Sequence, residues 1–256
     1  MAAADDRAKR VVGRDRAAAA ESTASAKAGA GQGEKETRRG HGGRIARRGG
    51  WRYRKEMSKQ RWNEVFAAPE HKYGEAANLF LVSQGERFRA GQRALCLGEG
   101  QGRNACWLAG LGLDVTAVDF SVVALQRARE LADKRGVRLK YVEADLEHYC
   151  IEPEHYDIIT AIFVHLTPEP RRRLHRQVLA GLRPGGLFVG EFFSPRQLAY
   201  HSGGPRQPEL LYAPEDLQAD FAGAHIELLG EQVVKLDEGA GHQGQGAVTR
   251  IVARRP

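Results

Sequence analysis

Gly98-Glu99-Gly100-Gln101-Gly102-Arg103-Asn104, Asp119 and Asp145 are the residues whose types and spacing could hold a ligand. The glycines allow a tight turn and a close backbone approach, and a helix opening at Arg103 would present free N–H groups to a bound molecule. Asp119, 17 residues beyond Gly102, places a carboxylate where both hydroxyls of a ribose could donate to it. Asp145 follows Tyr141-Val142-Glu143-Ala144 and can accept from an adenine amino group, although an Asp at that point also starts turns. Glu99, Asn104, Phe120, Ser121 and Leu146 flank these positions and complete the candidate cofactor contacts. A nicotinamide dinucleotide is the rival ligand, since it too uses a glycine turn and an acid after the next strand. The spacing decides against it: Gly98, Gly100 and Gly102 alternate, whereas the dinucleotide fingerprint sets its third glycine three residues after its second.

A second group could face the other reactant. His165, after Ala161-Ile162-Phe163-Val164, is the candidate base or orienter, with a plain hydrogen bond to a neighbouring loop as the alternative. Glu191, Phe192 and Phe193 could wall a pocket, and Tyr200-His201-Ser202-Gly203-Gly204-Pro205 has the composition of a lid or of a simple connector. There is no Ser–His–Asp order, and no spacing suggests a metal site.

These residues need a scaffold that brings several strand ends together, and the apolar pattern supplies one. Strands are expected at 93–97, 114–118, 137–142, 157–163 and 187–192, with helices at 103–111, 121–135, 168–182 and 214–221. Ser121 is placed to cap its helix and Gly136 to stop it. Arg183-Pro184-Gly185-Gly186 reads as a turn, and two last strands, 225–235 and 247–254, flank a glycine-rich hairpin. Strands alternating with helices mean an α/β, doubly wound, mostly parallel sheet of seven strands, with the last strand antiparallel. In such sheets ligands bind beyond the carboxyl ends of the strands.

The net charge of +7 is unevenly spread. Residues 1–56 hold 15 Lys and Arg against 7 Asp and Glu, and the other 200 hold 24 against 25, so the part expected to fold is neutral. The leader has too little apolar bulk to order itself and is expected to be disordered. It reads as a polyanion-binding tail, a targeting sequence or an extension upstream of a natural start at Met57; its acids argue against targeting, and the extension is the preferred reading. Residues 57–256 form one domain. Cys96, Cys106 and Cys150 are expected to be reduced structural thiols, which with the lack of a long apolar run suggests a cytoplasmic protein that spans no membrane.

From Trp62 to Arg255 the sequence resembles class I S-adenosylmethionine-dependent methyltransferases. Leu95-Cys96-Leu97-Gly98-Glu99-Gly100-Gln101-Gly102-Arg103-Asn104, Val115-Thr116-Ala117-Val118-Asp119 and the upstream Trp62-Asn63-Glu64-Val65-Phe66, Tyr73-Gly74 and Asn78-Leu79-Phe80-Leu81 are similar to the tellurite-resistance and thiopurine-type branch. The resemblance implies S-adenosylmethionine as cofactor, an opening segment, Tyr73 included, lying over its methionine part, and a small-molecule acceptor with a soft nucleophile such as a thiol or metalloid oxyanion. Val164-His165-Leu166-Thr167 stands where amide and base-amine methyltransferases carry an Asn-Pro-Pro-Tyr-like turn, which counts against those substrates. Two other readings stay open. One is a non-catalytic cofactor-binding scaffold; the other is an RNA methyltransferase recruiting through its leader, which the neutral domain disfavours.

Overall fold

The computed structural model describes residues 58–256; the basic leader and the candidate start at Met57 lie outside the described residues. Seven strands form one sheet in the order β3-β2-β1-β4-β5-β7-β6. They are β1 (Arg93–Leu97), β2 (Asp114–Asp119), β3 (Lys140–Glu143), β4 (Tyr156–Ile162), β5 (Leu182–Phe193), β6 (His225–Glu238) and β7 (His242–Arg254). The first five pair in parallel, and β7 runs antiparallel to both β5 and β6. The sheet is therefore doubly wound with its last strand reversed. The chain runs outward from β1 to β3 and then crosses to β4 on the other side, so the switch point opens between β1 and β4.

The helices are α1 (Lys59–Phe66), α2 (Leu79–Ser83), α3 (Arg103–Gly110), α4 (Val122–Arg135), α5 (Pro168–Gly181) and α6 (Pro214–Asp220). Alternate residues of β1 enter different cores: Leu95 and Leu97 pack with Ile159, Val178 and Phe188, while Ala94 and Cys96 pack with Leu108, Val115 and Val189. Helices on both faces are what make so short a strand wholly apolar beyond Arg93. Ser121 caps α4 by accepting from the Ala124 N–H at 3.1 Å, and Gly136 ends that helix in the left-handed region.

Several expected boundaries move. The third strand begins at Lys140, because Val137 and Leu139 are spent packing with Cys106, Leu131 and Ala132. Arg183-Pro184-Gly185-Gly186 lies within β5 as an irregularity: Tyr156 pairs with Leu182, yet Ile158 pairs with Leu187. Phe163 has left β4 and takes a left-handed φ of 55°. Cys150 is exposed, whereas Cys96 and Cys106 are buried.

The final hairpin is much longer than its glycines suggest. β6 runs on to Glu238, β7 starts at His242, and the turn is Gly239–Gly241. Gly246 lies inside β7, where a Cβ would stand 2.7 Å from the Ser202 hydroxyl; glycine there admits a crossing loop rather than a turn. The hairpin tip meets the opening segment of the domain. The Gly241 N–H donates to the Lys72 carbonyl at 2.8 Å, and a Cβ on Gly239 would fall 2.3 Å from the Gly74 nitrogen.

Candidate active site

A cavity of about 780 Å³ opens beyond the carboxyl ends of β1 to β4, with α1 and the segment through Gly74 along its wall. Its first half is built from the turn after β1. Gly98 and Gly100 both have positive φ and both line the cavity. Any Cβ at Gly98 would meet Val164 at 2.9 Å, so this cradle is open only to glycine. Glu99 turns back to cap α3, one carboxylate oxygen accepting from the N–H groups of Asn104 and Ala105 at 2.9 and 2.8 Å. Burial pushes its carboxyl up to about 7, against the pull of those bonds. Asp119 ends β2 and is equally hidden; it accepts from Gly100 N–H at 2.9 Å and Ser121 N–H at 2.8 Å. Burial raises it to about 6.

Of the candidate contacts, Tyr73, Gly98, Glu99, Gly100, Asn104, Asp119, Phe120, Asp145 and Leu146 all line this cavity. Gly102 and Ser121 do not. Gly102, at φ 89°, is where α3 presses on α4: a Cβ there would stand 2.8 Å from that of Ala128. Ser121 is spent on its cap and on a 2.6 Å hydrogen bond to Asn63 of α1.

The second half of the cavity is made of rings. Trp62 stacks on Phe66, Tyr73 lies 4.5 Å from His242, and Phe163 lies 4.5 Å from His242 and 4.7 Å from Phe193 (centroid distances). His165 is here as expected, stacked on Phe193 at 5.9 Å. Burial, helped by His242, drives its ring down to about 3, so it is neutral and too weak a proton acceptor to serve as a base near pH 7. Its Nδ1 is buried without a partner. Burial likewise raises Tyr73 to about 12 and lowers His242, although Glu238 opposes the latter shift.

The expected acceptor wall does not form from β5. Glu191 is buried and taken by Asn78 and Arg250; Phe192 is core, and Phe193 backs the rings from behind. The 200–205 loop packs under the hairpin, with Gly203 against Gly241 and His242, and lines no part of the cavity. Arg103, quoted within the glycine motif but given no role of its own there, and His242, not singled out at all, also line the cavity. Both are fixed by Glu238, which accepts from Arg103 at 2.9 Å and lies 3.2 Å from His242 Nδ1. Burial alone would raise Glu238, but these two partners hold it near 2. Arg103 was in view within the glycine motif; a partner 135 residues away gave no local signal.

Residues 94–186 match the family model described as a methyltransferase domain. Among solved structures, one from work on the conversion of a disulfide bond into a thioacetal group during echinomycin biosynthesis aligns with a TM-score of 0.64 at 21% identity, over 79% of this chain and 91% of that one. TehB from Haemophilus influenzae aligns with a TM-score of 0.59 at 19% identity, over 77% of this chain and 67% of its own. The fold is the class I methyltransferase fold. A demethylmenaquinone methyltransferase of Clavibacter sepedonicus is 34% identical over 110 residues, 41% of this chain and 43% of the relative. The chain thus spans less than half the length of the curated relatives it matches. In a methyltransferase fold the glycine turn and the β2 acid border the switch point, which is where the cavity opens. No helix among the described residues is long and apolar enough to cross a membrane.

Proposed function

We propose that this chain is an S-adenosylmethionine-dependent methyltransferase acting on a small molecule with a soft nucleophile. The observation that carries the reading is the meeting, in one cavity, of a cradle open only to glycine at Gly98 with carboxylates at two successive strand ends, Asp119 and Asp145. The donor set fits the cofactor. Asp119 has lone pairs left for ribose hydroxyls, Asp145 and Leu146 suit an adenine edge, and Phe120 gives it an apolar contact. Glu99 and Asn104 border the same turn, and Gly102 and Ser121 support it from behind. Arg103, the buried cation on the wall among the described residues, suits the cofactor's carboxylate beside Tyr73.

When bound, S-adenosylmethionine supplies a methyl group on sulfonium, already primed to leave. The residues' task is to hold the acceptor in line and exclude water, which can be worth effective molarities on the order of 10⁵–10⁸ M. The ring-lined half suits that task. His165, its basicity removed by burial, is no base for a reluctant acceptor, and this favours a nucleophile that ionises by itself, such as a thiol. His165 is then an orienting group. Quinone-type acceptors, which the Clavibacter relative's name indicates for that protein, belong in the same screen.

Calorimetric titration of the full chain with S-adenosylmethionine tests the reading, alongside Asp119→Ala. Micromolar binding that weakens about a hundredfold in the variant is expected, from two lost hydrogen bonds to a charged group. A folded protein that binds no cofactor sinks the proposal. Turnover is then sought with thiophenol, tellurite and a hydroxyquinone.

A further inference from the structure

The β4–α5 loop, Phe163 to Thr167, supplies much of the ring-lined half, and nothing in its own sequence would hold it still. At its start Phe163 has a left-handed backbone, which a non-glycine residue keeps only where the surroundings impose it. They do so here. The Phe163 N–H donates to the Glu191 carbonyl at 2.7 Å, and its ring is wedged between Phe193 and His242.

The other end of the loop is held from outside the cavity. Tyr212, fully buried and absent from the cavity wall, sets its hydroxyl against both backbone polar groups of Leu166: it accepts from the N–H at 2.7 Å and donates to the carbonyl at 3.3 Å. The residue beside Leu166 is His165, whose ring lines the cavity and stacks on Phe193. Tyr212 is itself fixed on every side. Its N–H donates to the Phe193 carbonyl at 2.9 Å, and its carbonyl accepts from the Thr249 hydroxyl at 2.7 Å. Its ring packs on Phe192 at 4.7 Å and under the Arg171 guanidinium at 5.0 Å. Arg171 is in turn tied to Asp216 and Asp220, the latter shared with His175.

We infer that Tyr212 is a positioning residue for the acceptor: the segment between β5 and α6, which lines none of the cavity, reaches over to clamp the β4–α5 loop and so aims His165. This inference rests on the methyltransferase reading for its purpose, but the clamp itself can be tested without any ligand.

Tyr212→Phe in the full chain keeps the ring on Phe192 and Arg171 and removes only the hydroxyl. Amide hydrogen exchange over 163–167 should speed up by up to about tenfold, as losing a hydrogen bond of that kind allows. The strands and the affinity for S-adenosylhomocysteine should change less than about twofold. The His165 ring nitrogen signals, assigned by their loss in His165→Asn, should move; a purely structural tyrosine would leave them in place. In turnover, KM for thiophenol should rise while KM for S-adenosylmethionine holds. Unchanged exchange at 163–167, or acceleration spread evenly over the whole sheet, overturns the clamp. Should Tyr212→Phe fail to fold, Thr249→Val, which loosens Tyr212 from behind, should give the same pattern in smaller size. A wild type that binds no S-adenosylhomocysteine would refute the proposed function, while the exchange arm would still judge the clamp.

Discussion

The two halves of the cavity are built on opposite principles. Around β1 to β3 the wall is backbone and carboxylate: a glycine turn, Glu99 folded back as a helix cap, and Asp119 bound to two N–H groups. Around β4, β5 and β7 it is aromatic, with burial raising Tyr73, lowering His242 against Glu238, and pressing His165 down to about 3. The polar half is set by neighbours in sequence, while the ring half needs parts from 62 to 242 to meet. A polar ligand part can be fixed by hydrogen bonds of defined direction. An acceptor that must slide into line is better served by flat, uncharged surfaces that leave its nucleophile unsolvated.

Substitutions can break this division, the largest effect coming first. Asp119→Ala should cost about a hundredfold in cofactor affinity by calorimetry, while His242→Asn, on the ring side, should cost far less. Gly102→Val should lower unfolding free energy by about 3 kcal/mol in urea titration, combining a left-handed backbone with a clash against Ala128 in α4.

Glu99→Gln should raise stability at pH 8 by about 3 kcal/mol and leave it nearly unchanged at pH 4. The sign follows from its position near 7 against an ordinary 4.5. Between those values the unfolded chain has lost the proton that the folded one keeps, so folding weakens as pH rises through that window. Glutamine retains the acceptor for Asn104 and Ala105 without the charge. The smallest effect is on binding: cofactor affinity should fall about fivefold from pH 6 to pH 5, as Asp119 protonates below about 6. A flat profile there would mean that Asp119 does not bind through its charged form.

What could be read in the sequence divides along the same line. Gly98, Gly100, Asp119 and Asp145 lie within or just after short strands whose apolar runs are unmistakable, so motif and scaffold announce each other. The mostly parallel, seven-stranded sheet and its reversed last strand followed from the same alternation. Gly102 misled because a glycine needed for helix packing looks like one needed for a ligand. The hairpin misled because Gly246 serves a crossing loop rather than a turn. Arg103, His242 and Glu238 could not be paired at all, since their contact spans 135 residues and depends on where a ribbon ends. The β5 residues Glu191 to Phe193 were placed at the right strand end, but Asn78 and Arg250 claim the carboxylate and the rings face inward.

The contact of Gly241 with Lys72, and of Gly239 with Gly74, also sets a clock for synthesis. A chain leaving the ribosome has made every cofactor residue proposed on the polar side by Leu146, yet the segment around Tyr73 cannot settle until the hairpin tip follows nearly a hundred residues later. The segment around Tyr73 therefore settles only after the hairpin tip has been made, and a product cut short before Gly239, which also lacks β7, should hold its cavity open.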